Sequence, residues 1–192
     1  FDSAVLFYKE FLTVTGVSSE KKNLEGGNRK ERNIEVRVLV QIANIYTLKG
    51  EYKSAESLYH KALNLADNWS SLKAEVYQNL GSLYFLKENY EYAILYYQKS
   101  WTIYSKEPGR YTARTVDLLT SLATTYSANE EYQQSLSCFR KADSVLRILK
   151  INDPRRVSGL NINIGEILLK LDAPEKALLR YRAAGNLASG YD

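Results

Sequence analysis

The sequence predicts an all-α fold in which antiparallel helix pairs stack into a superhelix. Three observations support this prediction. Helix breakers are few, with 10 Gly and 3 Pro in 192 residues; aliphatic residues recur at i, i+3, i+4 and i+7; and one motif returns four times in register. Neither helix of such a pair can bury its apolar stripe alone, so we expect the pairs to stack on one another.

The repeated motif is a large aliphatic residue, then Gly or Ala, then an aromatic residue or Leu three positions on. Its copies occupy residues 41–46, 79–84, 121–126 and 163–168. Downstream of each copy lies a small residue, followed four positions later by an aromatic residue and three after that by another small one. These triplets are Ala55/Tyr59/Ala62, Ala93/Tyr97/Ser100, Ser135/Phe139/Ala142 and Ala177/Tyr181/Ala184. Small residues let two helix backbones approach closely, and the aromatic rings fill the adjacent gaps.

Together these residues resemble the tetratricopeptide repeat, whose signature combines an aromatic residue, Leu-Gly, Tyr, Ala, an aromatic residue and Ala at fixed offsets. The second copy matches that order with Tyr77, Leu80, Gly81, Tyr84, Ala93 and Tyr97. In the fourth copy Asn161 replaces the first aromatic residue. The resemblance implies a right-handed superhelical array, an α-solenoid, that acts as a non-catalytic scaffold or adaptor for protein binding.

The repeats are longer than the family's usual length of about 34 residues. The anchor residues are Ala43, Gly81, Ala123 and Gly165, so the repeat step is 38 at first and 42 in the next two cases. We interpret the excess as about one additional helical turn on each helix of a pair. Repeats of this length are similar to those of kinesin light chains and the Leu-Gly-Asn-repeat adaptors, which bind peptides of cargo or partner proteins.

Four helix pairs are expected, at about 34–69, 70–110, 111–152 and 153–192. Their first helices are predicted at 34–48, 71–87, 112–128 and 154–171, and their second helices at 52–66, 90–105, 132–149 and 174–188. Short polar breaks separate the two helices of each pair. Asp153-Pro154 is a strong helix start, because an acidic N-cap precedes proline in the first turn.

The N-terminal segment differs from the rest. Residues 1–15 repeat the second-helix pattern through Phe1, Ala4, Tyr8 and Phe11, so we expect the second helix of a truncated preceding repeat. Residues 16–33 are rich in Lys, Arg, Glu, Ser and Gly, which predicts a polar flexible loop. The unpaired helix face at the open N-terminus is a possible surface for self-association.

The resemblance implies that the first helix of each pair lines a concave groove that holds a peptide segment of a partner protein, extended or helical. Helical geometry then selects the groove-facing residues. The expected peptide-binding residues are Arg37, Gln41 and Asn44 in the first copy, Glu75, Gln78, Asn79 and Ser82 in the second, Thr120, Ser121 and Thr124 in the third, and Asn163, Glu166 and Lys170 in the fourth. Leu48, Leu86, Asp117, Ala128 and Ile162 share these faces.

Four of these residues precede the aliphatic–small pair and form a predicted amide ladder: Gln41, Asn79, Ser121 and Asn163. Amides offer a donor and an acceptor together, which suits an extended peptide backbone; the alternative is that they are simply solvated. Asn at this position also resembles the backbone-binding Asn of the adaptor-type repeats. The groove is mixed in charge, which favours an internal peptide over a terminal carboxylate.

The sequence gives little support for an enzyme. His60 is the single histidine, so a triad or a histidine metal cluster cannot form. Cys138 precedes the interlocking Phe139 and is expected to be half-buried, while Gly26-Gly27 lacks the context of a phosphate-binding loop. We therefore expect no catalytic residue, no metal and no cofactor.

Two other functions stay open. The array could be a structural spacer or self-association module of a larger protein, and Lys21-Lys22, residues 29–32 and Arg155-Arg156 offer a weaker case for nucleic-acid binding. The formal net charge of +4 is mild and does not by itself indicate nucleic acid. No apolar run approaches the roughly 20 residues that span a bilayer. One cysteine without a partner favours a reducing, cytoplasmic setting.

Overall fold

The computed structural model describes residues 29–66, 71–106, 109, 112–151 and 153–188, together with Leu6 and Glu10. Eight helices and no strand occur in this part of the chain. The helices are α1 (Arg29–Leu48), α2 (Tyr52–Leu65), α3 (Ser71–Leu86), α4 (Tyr90–Tyr104), α5 (Ala113–Ala128), α6 (Tyr132–Ile148), α7 (Pro154–Lys170) and α8 (Pro174–Ala188). The fold class is therefore all-α, as the sequence predicts.

The chain divides into two compact units, Phe1–Asn89 and Tyr90–Asp192. In the first unit α1 packs along α2, and α3 contacts both. In the second unit α5 pairs with α6 and α7 pairs with α8, while α4 packs on α5 and α6 packs on α7. Each unit thus repeats the packing of helix pairs that the motif predicts.

The predicted boundaries of α2 to α8 agree with the observed ones to within one position. The first helix does not agree, because α1 begins at Arg29 and not near residue 34. The loop predicted over 16–33 is therefore wrong for residues 29–33, where Arg, Lys and Glu are good helix formers whose charge resembled a loop composition. Residues 16–28 lie outside the described part. So does the helix predicted over 1–15, except Leu6 and Glu10, which are helical and exposed.

Each first helix ends in a turn whose key residue has a positive φ. These residues are Gly50 (φ 77°), Glu88 (φ 56°), Glu130 (φ 61°) and Asp172 (φ 53°). In the first turn Glu51 N–H donates to the Tyr46 carbonyl at 2.9 Å and Gly50 N–H donates to the Thr47 carbonyl at 3.0 Å. The same two hydrogen bonds recur in the other three turns, so the polar breaks are helix C-caps of the Schellman type. The start of α7 is capped as well, because the Asp153 carboxylate accepts from Arg155 N–H at 3.0 Å.

The small and aromatic positions of the motif form the core. Ala55, Ala62, Ala93 and Ala142 have no exposed surface. The aromatic residues Tyr59, Tyr97 and Phe139 are buried, whereas Tyr181 in the fourth copy is half-buried. The prediction that these aromatic residues serve packing is confirmed for the first three copies, whereas part of the Tyr181 ring in the fourth copy stays exposed.

The two longer repeat steps have different origins, which corrects the expectation of one extra turn on every helix. Between α2 and α3 the connection is residues 66–70, but between α4 and α5 it is 105–112. That longer connection supplies most of the difference between the first step and the second, since α2 has 14 residues and α4 has 15. In the third step the extra length is helical, because α6 has 17 residues.

Tyrosine hydroxyls tie first helices to the second helix that precedes them. In the first unit Tyr84 donates to the Glu56 carboxylate at 2.5 Å, and Lys87 Nζ reaches the other carboxylate oxygen at 2.9 Å. In the second unit Gln98 Nε2 donates to the Tyr126 hydroxyl at 2.7 Å. The two tyrosines are each 28 residues beyond their partner, so the link from α2 to α3 and the link from α4 to α5 have the same sequence separation.

Candidate functional site

The first-helix face of the first unit, on α1 and α3, is solvent-accessible. Arg37 and Gln41 are exposed. Asn44 is half-buried, and its carboxamide oxygen accepts a hydrogen bond of 2.6 Å from the hydroxyl of Tyr59. Burial raises the pKa of Tyr59, and its hydrogen bond with Thr47 partly offsets that effect. Asn44 was predicted as a groove residue, but its oxygen serves the core of the helix pair because a buried hydroxyl needs an acceptor.

The α3 part of this face is half-buried throughout. Its predicted binding residues are Glu75, Gln78, Asn79 and Ser82. Ser82 donates through Oγ to the carbonyl of Gln78 at 3.2 Å, so this hydroxyl bonds back to its own helix. The Asn79 carboxamide makes no hydrogen bond to any described residue, and the same holds for Gln41 on α1. These two amides are the members of the predicted ladder in the first unit.

In the second unit the corresponding face lies on α5 and α7. Thr120, Ser121 and Asn163 are half-buried, whereas Thr124, Glu166 and Lys170 are exposed. Ser121 donates to the Asp117 carbonyl at 3.0 Å, which engages the hydroxyl member of the ladder within α5. Asn163 has no side-chain hydrogen-bond partner among the described residues.

An ion pair that the sequence did not reveal crosses this face. Arg156 Nη1 of α7 donates to Asp117 Oδ1 of α5 at 2.8 Å, and Arg156 also lies 3.8 Å from the Asp153 carboxylate. Sequence reasoning placed Arg156 in a possible nucleic-acid patch. In the structure the guanidinium of Arg156 pairs with carboxylates. The case for nucleic-acid binding is therefore weaker, because a paired guanidinium attracts phosphate less strongly. Only the 39-residue separation of the two residues, close to one repeat step, could have indicated the pair.

The second unit also contains cavities outside the predicted binding faces. One, of about 620 Å³, is lined by Trp101 of α4 and by residues of α6. Another, of about 470 Å³, lies among α6, α7 and α8 and includes Asn161 and Arg180. None of the predicted binding residues lines either cavity. Sequence reasoning missed both, because a gap between helices depends on their separation and not on a residue pattern.

The residues considered for catalysis occupy unremarkable positions. His60 is exposed. Cys138 is buried and not half-buried as predicted, and burial raises the pKa of its thiol against a smaller opposing effect of Lys141. No group of three His, Cys, Asp or Glu is placed to hold a metal ion within the described ranges. In the same ranges no helix combines the length and the apolar content that a membrane crossing requires.

Comparison with known proteins decides the family. The tetratricopeptide repeat profile matches residues 35–106 and 72–147, more than half of the chain. This chain belongs to the tetratricopeptide repeat family. The tetratricopeptide fold also appears in solved structures that are similar to it: BtubC (BKLC) from P. vanneervenii has a TM-score of 0.85 at 20% identity and covers 99% of this chain and 74% of its own.

Two further tetratricopeptide structures have the same fold at comparable identity. MamA has a TM-score of 0.70 at 18% identity, covering 99% of this chain and 90% of that one. YrrB, described as a TPR protein with an unusual peptide-binding site, has a TM-score of 0.63 at 18% identity, covering 99% and 79%. Identities this low show the shared fold alone.

One curated relative matches by sequence, the human protein O-mannosyl-transferase TMTC1. It is 27% identical over 175 aligned residues, which cover 78% of this chain and 19% of that protein. The chain thus spans about a fifth of the relative's length. The tetratricopeptide fold supports a protein-interaction scaffold in general terms, and the match is confined to a small part of that relative.

Proposed function

We propose that this tetratricopeptide chain is a non-catalytic scaffold that binds an extended peptide segment of a partner protein along its first-helix faces. The proposal rests on the accessibility and hydrogen bonding of three amide side chains, those of Gln41, Asn79 and Asn163. Each lies on a first helix at the same motif position, is half-buried or exposed, and makes no side-chain hydrogen bond to the described part of the chain. An unengaged amide at a repeated position can bind both the N–H and the C=O of a peptide backbone.

The surroundings of these amides favour a polar or partly basic internal segment. The first-helix faces carry Arg37 in the first unit, and Glu166 and Lys170 in the second, all exposed. Asp117 already neutralises Arg156. A terminal carboxylate needs several converging cations, whereas this mixed distribution suits an internal peptide whose side chains carry few charges.

Peptide binding by a related fold gives secondary support. YrrB, which shares the fold, is described as having an unusual peptide-binding site. The lone His60 is exposed and the pKa of the buried Cys138 is raised, so neither residue is presented as a nucleophile or a base. Both points favour binding over catalysis.

The test begins with selection of peptides from a displayed library on the immobilised chain, followed by affinity measurement with the enriched synthetic peptide. The double variant Asn79→Ala/Asn163→Ala should bind that peptide at least about tenfold more weakly, equal to about 1.4 kcal/mol. Its thermal midpoint should stay close to that of the wild type, because both amides lack partners that folding would lose.

Asn64→Ala is the matched control, since it removes an exposed amide from a second helix and should leave the affinity unchanged. If no peptide is enriched, or if the double variant binds as tightly as the wild type, the first-helix faces are not the binding site. A chain that serves only as a spacer would give the first of these results.

A further inference from the structure

A groove with an apolar floor separates the second helices α4 and α6 in the second unit. Its volume is about 620 Å³. The floor contains the buried side chains of Leu136 and Val145, and the rim contains half-buried Trp101 and Ile148, which is 59% exposed. The rim thus carries an exposed aliphatic and a half-buried aromatic side chain, and anchors of this kind typify protein-binding surfaces.

The charged side chains that line this groove, hereafter the second-helix groove, are both positive. Arg140 and Lys141 line it and are exposed, and no acidic residue is among the described residues that line it. Neither cationic side chain forms an ion pair or a hydrogen bond with the described part of the chain. The acidic residue nearest in sequence on α6, Asp143, is engaged with Arg147 at 2.7 Å and lies 3.8 Å from Arg180.

Comparison of successive repeats explains why Arg140 is unengaged. One repeat step, which is 42 in this part of the chain, leads from Gln98 to Arg140 and from Tyr126 to Leu168. In the earlier repeat Gln98 donates to the hydroxyl of Tyr126. Leucine at position 168 is buried and has no acceptor, so the equivalent link cannot form. Arg140 therefore stands where the previous repeat has Gln98, and Leu168 stands where the previous repeat has the tyrosine that Gln98 binds.

We infer that the second-helix groove binds an amphipathic helix of a partner protein, with an aliphatic stripe flanked by carboxylates. The lining residues of α6 recur at i, i+3, i+4 and i+7 from Gln133 to Ile148, which is a stripe about 22 Å long on one helix face. They offer side chains and no free backbone groups, whereas an extended peptide would need partners for its own N–H and C=O groups. A helix satisfies these groups internally and presents an apolar stripe to the floor. Its carboxylates pair with Arg140 and Lys141, and Arg140 can do so through two parallel hydrogen bonds.

Trp101 provides a direct reporter of occupancy. The chain contains two tryptophans, Trp69 and Trp101, so Trp69→Phe leaves Trp101 as the single tryptophan, and excitation at the long-wavelength edge of the tryptophan band avoids the tyrosine signal. Two synthetic helical peptides of about 16 residues serve as probes, each long enough for the α6 stripe. They share one Leu/Ile stripe and differ in flanking residues, which are Glu in one and Lys in the other.

The Glu peptide should shift the Trp101 emission saturably, and added salt should weaken its binding because the attraction is partly between exposed charges. Arg140→Glu/Lys141→Glu should weaken binding at least about tenfold. Ile148→Ser should weaken it several-fold without lowering the urea midpoint, since the side chain is 59% exposed. The matched control Lys176→Glu/Arg182→Glu makes the same charge change on exposed residues of α8 and should leave the affinity within about twofold.

Three results would overturn the inference. The first is equal binding of the Glu and Lys peptides, and the second is unchanged affinity in Arg140→Glu/Lys141→Glu. The third is a dimer in sedimentation equilibrium that this variant dissociates, because a second copy would then occupy the groove. Each result is independent of the first-helix faces, so it leaves the proposed peptide site unaffected.

Discussion

The first helix pair, α1 and α2, and the fourth, α7 and α8, both pack a tyrosine of the shared motif, but with different contacts. In the first pair Tyr59 of α2 is 1% exposed, and its hydroxyl reaches Asn44 and Thr47 of α1. In the fourth pair Tyr181 of α8 is half-buried, and its hydroxyl bonds to no described residue. The shared motif therefore specifies an aromatic ring at this position. The residues around the ring determine whether it is fully buried and whether its hydroxyl is hydrogen-bonded.

The anchor residue opposite the ring differs accordingly. Position 43 is a fully buried Ala, whereas position 165 is Gly. A Cβ atom at position 165 would lie 2.8 Å from Cε1 and Cζ of Tyr181, so the ring occupies the space that alanine fills in the first pair. Polar contacts add a second difference, because Arg180 of α8 donates to Asn161 of α7 at 3.1 Å. The fourth pair thus relies on close backbone approach and on an amide–guanidinium bond.

The largest difference should appear when each ring is removed. Tyr59→Ala should lower the free energy of unfolding by about 3–5 kcal/mol, because it leaves a cavity in a closed core. Tyr181→Ala should cost no more than about half as much, since part of that ring is already in water. Urea denaturation followed by circular dichroism measures both. Equal losses would mean that the two pairs are equivalent despite their different burial.

Removal of the hydroxyl alone isolates the hydrogen bond. Tyr59→Phe should cost about 1 kcal/mol, because Asn44 and Thr47 lose a partner inside the pair. Tyr181→Phe should change stability by less than about 0.5 kcal/mol, as expected for a change without a lost contact. Thermal unfolding of the two variants side by side provides the comparison. A larger loss at Tyr181 would contradict it.

The smallest expected effect concerns pH and the link from α2 to α3. Burial alone would raise the pKa of Glu56, but hydrogen bonds from Tyr84 and Lys87 and the charge of Lys87 lower it below its ordinary value of about 4.5. The ionised carboxylate therefore stabilises the folded state above that pH, and the contribution is lost as pH falls through the folded pKa. Glu56→Gln should cost up to about 1 kcal/mol at pH 7 and less near pH 3.5.

The free-energy difference between wild type and Glu56→Gln, measured at several pH values, tests this expectation. In a Tyr84→Phe background the pH-dependent part of the difference should shrink, because one of the hydrogen bonds that lower the pKa is gone. A difference that is constant with pH would show that Glu56 acts only through packing. The link from Asn161 to Arg180 in the fourth pair uses an amide, which does not titrate, so it supplies no such dependence.

Much of the fold is predictable because the signals are local. The aliphatic spacing, the polar breaks and the Asp153-Pro154 start each depend on a few neighbouring residues, and they give seven helices to within one position. The start of α1 is not predicted, since Arg, Lys and Glu are common both in helices and in solvated loops. The origin of the two longer repeat steps also escapes prediction, because a longer connection and a longer helix give the same spacing.

The site is less predictable because its contacts join distant residues. Asn44 has the helical phase of a groove residue, yet the nearby hydroxyl of Tyr59 engages its oxygen. Arg156 looks like part of a basic patch until its ion pair with Asp117 is known. The unengaged amides at Gln41, Asn79 and Asn163 fit the predicted ladder, and whether they bind a peptide stays a prediction.

The constant separation of 28 residues between each linking tyrosine and its partner has a consequence for engineering. The repeat step differs between the two cases, so the partner shifts from the residue after Ala55 to the fifth residue after Ala93. The chain therefore keeps the register of its hydrogen bond by moving the partner one turn along the second helix. When repeats are joined into a chimeric array, the hydrogen-bond partner should accordingly be placed 28 residues before the tyrosine. A junction aligned only on the alanine of the second helix would place that partner one helical turn away from the tyrosine hydroxyl.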